Sequence, residues 1–289
     1  MSAGQHQSSP EYLSYSQVNT LRTCGEQYRL RYIEKAPRRP GCAMIGGTVI
    51  HSAADAVDEA ILSGEANPES LVKLAAEAAE LKLKSEIERA IEHSPEYTDL
   101  STWQRYGRKT KTTPNAQDID WYRAVAIPAA IQNYVSWRLK SAFLVPMNIP
   151  GWGPAIEVPF QLTIAGRQVR GYIDRVFVST DTGVPVVVDL KSGQKPKTDE
   201  QLGLYATALR ATLPGEFKWG AYLYGWKNPE KPATLTAPID LSYYTDEMLS
   251  QTYGDAALAI DQSLFVPNPG EACFHCQLID SCKFARSAI

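Results

Sequence analysis

Residues 171–193, GYIDRVFVSTDTGVPVVVDLKSG, put two aspartates and a lysine on two apolar runs separated by the turn signal Asp181-Thr182-Gly183. Two strands joined there pair antiparallel, so opposed positions share a constant sum. Pairing Thr180 with Gly183 fixes that sum at 363 and sets Asp174 opposite Asp189. Their Cβ atoms then lie about 5 Å apart on one face. Lys191, two residues beyond Asp189, shares the face, while Leu190 points away. Carboxylates this close repel unless a cation neutralises them, and hard oxygen ligands suit Mg²⁺ or Mn²⁺. A lysine beside such an ion can orient or deprotonate a water and offset charge growing on a phosphate. The bland alternative is a surface Asp189–Lys191 ion pair. The apolar run VPVVV, which delivers the pair beside a matching aspartate, favours the metal site.

Further residues join this set. Gly47-x3-His51 offers close backbone approach and, on the helix that follows, an imidazole nitrogen for a metal. Taken alone, a helical histidine is more often an ordinary polar side chain. Gln201 and Tyr205 share one helix face, although Thr198-x2-Gln201 also fits a capping box with Tyr205 as plain packing. In Cys273-x2-Cys276-x5-Cys282 the tight spacing lets two thiolates reach one metal centre. A third and fourth complete a set for zinc or an iron–sulfur cluster, with Cys24, Cys42 and His275 as rivals for the fourth place. With Cys24 there, the centre ties the N-terminal helix to the tail, and its binding free energy becomes folding free energy.

The elements that must position these groups are readable from periodicity. Helices are expected over about 12–35, 49–62 (after Gly46-Gly47), 69–92 and 120–142, the last entered or kinked at Pro128, with a loop over 94–119. Strands follow at 155–164, 168–179 and 184–191, a helix at 198–212, strands at 217–226 and 233–240, and a helix at 245–264. That order suggests a mixed sheet flanked by helices. The expected division is a helical N-terminal region (1–150), a core sheet (151–266) and a cysteine segment (267–289), together one compact unit. Composition is ordinary for a globular chain, with 44% apolar and 21% charged residues. No apolar run approaches the ~18 residues that span a bilayer, and residues 1–17 lack a signal-peptide core. A cytoplasmic protein without membrane association is expected, and five cysteines fit no paired disulfide framework. The net charge of −3 hides an uneven distribution: residues 55–99 carry twelve acids against four bases, while Arg22–Arg39 and Arg105–Lys111 are basic. Trp103, Arg105, Tyr106, Arg108, Lys109 and Lys111 mix rings and cations, a pattern suited to stacking bases and touching phosphates; a solvated loop fits it as well.

Taken together, these residues resemble the PD-(D/E)xK nuclease superfamily, specifically RecB-type exonucleases with a four-cysteine iron–sulfur cluster. That group includes CRISPR-associated and phage exonucleases and the nuclease domains of AddAB-type helicase–nucleases. The resemblance runs through Ser16, Cys24, Tyr28 and Tyr32, then Gly47-x3-His51, Gly171 to Asp174, Asp189 to Lys191, Gln201-x3-Tyr205 and the late cysteines. It implies an α/β, restriction-endonuclease-like mixed sheet flanked by helices, with a cluster-bound tail. It implies that His51, Asp174, Asp189 and the main-chain carbonyl of Leu190 bind the catalytic Mg²⁺ or Mn²⁺, that Lys191 is the catalytic lysine, and that Gln201 and Tyr205 lie near DNA. Cys24, Cys273, Cys276 and Cys282 would hold a 4Fe–4S cluster. Glu157 is an accessory acidic candidate. The implied activity is metal-dependent DNA hydrolysis leaving 5′-phosphates, on single-stranded ends and 5′→3′, in recombination, repair or phage DNA processing, alongside a recombination or helicase partner. The family often has Pro where this chain has Gly25 and Glu where it has Asp189. The competing reading is an inactive DNA-binding or assembly module with a structural iron–sulfur or zinc centre. ATP-driven work is disfavoured because no Gly-x4-Gly-Lys-Ser/Thr pattern occurs.

Overall fold

The computed structural model describes residues 10–105, 117–193, 195–227 and 229–285. Its helices are α1 (Tyr15–Thr23), α2 (Gly25–Tyr28), α3 (Cys42–Leu62), α4 (Pro68–His93), α5 (Ile119–Trp121), α6 (Ile127–Lys140), α7 (Glu200–Thr212) and α8 (Asp246–Asp261). Its strands are β1 (Leu144–Pro146), β2 (Asn148–Ile149), β3 (Gly153–Pro154), β4 (Ile156–Ile164), β5 (Arg167–Ser179), β6 (Pro185–Lys191), β7 (Trp219–Tyr224), β8 (Thr234–Leu235) and β9 (Ile239–Asp240). Two compact units interleave along the chain, in place of three successive segments. Unit 1 holds residues 1–39, 159–172 and 244–289; unit 2 holds 40–158 and 173–243. Residues 159–172 fall in unit 1 because the Leu13 backbone pairs with them: its N–H donates to Gln168 O (2.8 Å) and its carbonyl accepts from Arg170 N–H (2.9 Å).

In unit 1, Ser14 caps α1 by accepting from Gln17 N–H at 3.3 Å. The helix expected over 12–35 breaks at Cys24, which is extended at φ −162°, ψ 113°. Gly25 explains the break. A Cβ there would lie 2.5 Å from Val266 N, and the Gly25 N–H donates to Val266 O at 2.9 Å. The chain resumes as α2 and a π-helical turn over Arg29–Ile33. The ring of Tyr28 stacks on Phe265, and α1 packs against α8.

Unit 2 carries the larger core. Helices α3, α4 and α6 pack together through Val49, Ala53, Val57, Leu71, Ala75, Ile131 and Tyr134, and Phe177, Val188 and Leu190 join them from the sheet. Helix α3 begins seven residues before the expected start because Gly46-Gly47 does not interrupt it. Gly46 faces Tyr122, whose ring leaves only 2.0 Å for a Cβ. Pro128 sits in the first turn of α6, behind a π-helical turn over Tyr122–Ala126. Residues 94–105 are not featureless: they include 3₁₀ turns at Pro95–Tyr97 and Leu100–Thr102. The mixed sheet runs β1-β5-β6-β7-β8, with β4 beside β5 and β9 beside β7. The β5–β6 register is the expected one, Arg175 opposite Val188 through Val178 opposite Pro185. β6 and β7 run parallel, which requires a crossover, and α7 supplies it. Both faces of β6 are covered, which accounts for its unbroken apolar run.

A buried ion network fixes β5 to α3. Asp58 accepts from Arg138 Nε (2.5 Å), Tyr134 Oη (2.6 Å) and Arg175 Nε (2.7 Å), and Arg175 also donates to Asp55 (2.7 Å) and to Asp174 O (2.6 Å). Both Asp58 and Arg175 are fully buried. Removing one partner strands the rest in low dielectric. Asp58→Ala is therefore expected to lower unfolding free energy by about 3–5 kcal/mol in urea titrations.

Candidate active site

The side chains of the site come from several elements of unit 2. His51 sits in the middle of α3, four residues before Asp55 and seven before Asp58, so one helix face carries both the histidine and the anchors of Arg175. Asp174 lies on β5, where its Oδ2 accepts the Leu190 N–H at 2.7 Å. A side-chain carboxylate thus takes a backbone donor just beyond the last paired residues of β5 and β6. Asp189 and Lys191 stand at the C-terminal end of β6, and Gln201 and Tyr205 on the first turns of α7.

The sequence reading gave Glu157 only an accessory place, and the structure brings it to the centre. It adopts a left-handed backbone (φ 48°) inside β4, rare for a non-glycine residue in a strand. Its Oε1 lies 3.9 Å from His51 Nδ1, and Asp174 Oδ2 is also 3.9 Å from that nitrogen. Ligand atoms of His51, Glu157 and Asp174 all fall within 4.8 Å of one another. Glu157 Oε1 is buried and, among the described residues, has no hydrogen-bond partner. Two hard carboxylates, one imidazole and an orphaned buried oxygen fit a divalent ion of the Mg²⁺ or Mn²⁺ kind.

Asp189 stands beside this trio and outside it. Its carboxylate lies 3.1 Å (Oδ1) and 2.8 Å (Oδ2) from Lys191 Nζ. Burial, then the neighbouring charge of Asp174, pushes the Asp189 carboxyl up to about 7, with Lys191 and His51 opposing. Burial disfavours charge on His51, but Asp174, Glu157 and Asp189 outweigh it and raise the imidazole pKa. Lys191 Nζ also donates to Gln201 Oε1 (2.9 Å), and Gln201 Nε2 donates to Tyr205 Oη (2.6 Å). That chain sets aside the capping-box reading, because α7 has no side-chain cap hydrogen bond. Burial, then Asp174 and Asp189, raises the Tyr205 hydroxyl far above its usual range, so it stays a neutral phenol. Trp226 Nε1 donates to Lys191 O at 2.8 Å, and its ring lies beside His51. The i, i+4, i+7 spacing of His51, Asp55 and Asp58 could have flagged the anchors, whereas nothing local marked Trp226 or the backbone of Glu157.

Other expected residues lie elsewhere. Trp103 is not a nucleic-acid contact: it is 2% exposed in the core, with Nε1 donating to Tyr97 O at 2.8 Å. Arg105 donates to Ser101 O at 2.7 Å. Tyr106, Arg108, Lys109 and Lys111 lie outside the described residues. Cys24, Cys273, Cys276 and Cys282 are all half-buried in unit 1, while Cys42 is buried in the unit 2 core, where burial pushes its thiol up to about 11. His275 is exposed. Burial raises the Cys276 thiol, and Cys282, Cys273 and Cys24 add to the shift as like charges. Among the described residues no three cysteine sulfurs fall within 4.8 Å of one another. No helix of the described residues is long and apolar enough to cross a membrane.

Comparison with known proteins gives a match to the family model for the PD-(D/E)XK nuclease superfamily over residues 12–283. The Gene 69 protein of Mycobacterium phage L5 is 28% identical over 290 residues, covering 93% of this chain and 95% of that one. The Gene 69 protein of Mycobacterium phage D29 is 29% identical over 271 residues, with the same coverage. A solved structure from Eubacterium rectale, described as a candidate exonuclease, aligns over 96% of this chain and 88% of that one, at 12% identity and a TM-score of 0.47.

The electrostatics of Asp189 set a pH signature. It holds its proton more tightly folded than unfolded, where its pKa is about 3.9. Without metal, its contribution is therefore complete below about pH 4 and lost as pH rises through about 7. Metal-free Asp189→Asn is expected to flatten that decline and, at about pH 8, to exceed wild type in urea-measured stability. Mn²⁺ should raise the Tm of wild type far more than that of the variant.

Proposed function

The chain belongs to the PD-(D/E)XK nuclease superfamily, and from that premise we propose that it is a metal-dependent DNA exonuclease acting on single-stranded ends, 5′→3′, and leaving 5′-phosphates. The observation that carries the reading is the trio of half-buried His51 and Glu157 with buried Asp174, and Asp189 and Lys191 beside it. A divalent ion bound there would supply Lewis acidity toward the scissile phosphate and lower the pKa of a water. His51, Asp174 and Asp189 would hold it, with the Leu190 carbonyl and Glu157 completing the set. Lys191, already poised between Asp189 and Gln201, orients the attacking water and offsets charge on the phosphate as the 3′ oxygen leaves. Gln201 keeps the ammonium aimed, and Tyr205 holds Gln201 in turn.

The same reading places the protein with RecB-type enzymes and gives Cys24, Cys273, Cys276 and Cys282 a 4Fe–4S cluster of structural role. Two backbone donors already point at their sulfurs, Asn268 N–H at Cys24 (3.4 Å) and Gly270 N–H at Cys273 (3.5 Å). Arg39, which pairs with Asp280 (2.6 Å), accompanies them. Kinship with two mycobacteriophage proteins favours phage DNA processing over repair or recombination as the setting. An inactive module is the weaker reading, since both aspartates, the lysine and His51 are present.

Two measurements test this. With Mg²⁺ or Mn²⁺, end-labelled single strands should be degraded to 5′-phosphate products, and Asp189→Ala or Lys191→Ala should cut the rate by at least about 100-fold. Undiminished cleavage by the variants rejects the assignment. Anaerobically purified protein should be brown, with absorbance near ~400 nm that Cys24→Ser or Cys276→Ser abolishes; stoichiometric zinc in colourless protein rejects the cluster.

A further inference from the structure

Unit 1 contains an open cleft of about 890 Å³ whose walls come from the start of α1, the π-helical turn and residues 159–172. Four rings line it, Tyr12, Tyr32, Phe160 and Tyr172, together with Arg31 and Arg170. Its remaining lining is neutral, and no carboxylate lies among the described lining residues. That bias is pronounced in a chain holding 32 acidic residues against 29 basic ones. Arg31 Cζ sits 5.2 Å from the Tyr32 ring centroid and Arg170 Cζ 5.0 Å from that of Tyr12, so each cation lies against a ring. Tyr172 is 60% exposed and Tyr12 40%, which leaves apolar ring faces in water.

The cleft therefore offers a ligand two guanidinium forks and free ring faces. A phosphate satisfies guanidinium forks, and an unpaired base offers both a π-face and polar edges. Bases inside a duplex are stacked on each other and cannot offer those faces.

We propose that this cleft is a binding site for a single nucleic-acid strand, with bases stacked on Tyr172 and its neighbouring rings and phosphates held by Arg31 and Arg170. That the strand is DNA rests on the nuclease reading; the site itself does not. The sequence reading looked for such a surface at residues 103–111, where Trp103 is core.

The test is fluorescence anisotropy of labelled oligo(dT) with the full chain in EDTA, so that binding is read without turnover. Combined Tyr172→Ala and Arg31→Ala should raise Kd by about 10-fold or more. It should also lower the slope of log K against log salt by about 0.7 for the lost phosphate contact. Tyr172→Trp should bind as wild type does, and blunt duplex affinity should change less than about 2-fold in every variant. Unchanged oligo(dT) affinity in the double variant overturns the proposal, as does an equal loss for duplex or a wild type that binds no oligo(dT). If wild type degrades DNA while the double variant keeps full strand affinity, the nuclease reading survives and this site falls. If wild type degrades no DNA yet loses strand affinity through these substitutions, the site stands and the nuclease reading falls.

Discussion

Burying Asp189 beside Asp174 is the constraint around which unit 2 is arranged. Two carboxylates side by side in a water-poor core repel, and burial together with Asp174 pushes Asp189 toward its protonated form. The chain offsets this with Lys191, with a backbone N–H donated by Leu190 to Asp174, and with an imidazole whose pKa the surrounding carboxylates raise. Glu157 Oε1 lies 3.9 Å from both His51 Nδ1 and Arg175 Nη1, yet among the described residues it has no hydrogen-bond donor. A divalent cation is the species that would relieve the residual repulsion. The cost of building the site and its appetite for metal are the same electrostatic fact.

Holding such a site requires a stiff frame. The Asp58–Arg138–Tyr134–Arg175 network satisfies several buried charges at once and joins α3, α6 and β5, the elements that carry or flank His51 and Asp174. Arg175 is next to Asp174 in sequence and donates to its carbonyl, so the network reaches the site through one peptide. The parallel β6–β7 pair supplies the other side: it needs a crossover, and the crossover helix α7 lays Gln201 against Lys191 and Tyr205 against Gln201. Topology and chemistry meet at the C-terminal end of β6.

Where local pattern sufficed, the sequence was informative. The turn Asp181-Thr182-Gly183 set the β5–β6 register, and the run VPVVV marked a strand buried on both faces. Gln201 and Tyr205 were expected on one helix face and lie in hydrogen-bond contact. Where long-range contact decides, the reading went astray. The break at Cys24 depends on the backbone of residues 265–266, the helical Gly46-Gly47 pair on the ring of Tyr122, and the burial of Trp103 on its place in the unit 2 core. Glu157 was underweighted for a similar reason. Its backbone is left-handed at the second residue of β4, which no propensity announces. The interleaved units likewise follow from Leu13 pairing with the segment around Val169, a contact far apart in sequence.

The most direct test of the account is anomalous scattering from Mn²⁺ in crystals of this protein. One strong peak is expected in unit 2 within about 2–2.4 Å of ligand atoms from His51, Asp174 and Asp189, with Glu157 completing the set. Fully occupied Mn²⁺ bound elsewhere, with those side chains unchanged and unligated, would contradict it.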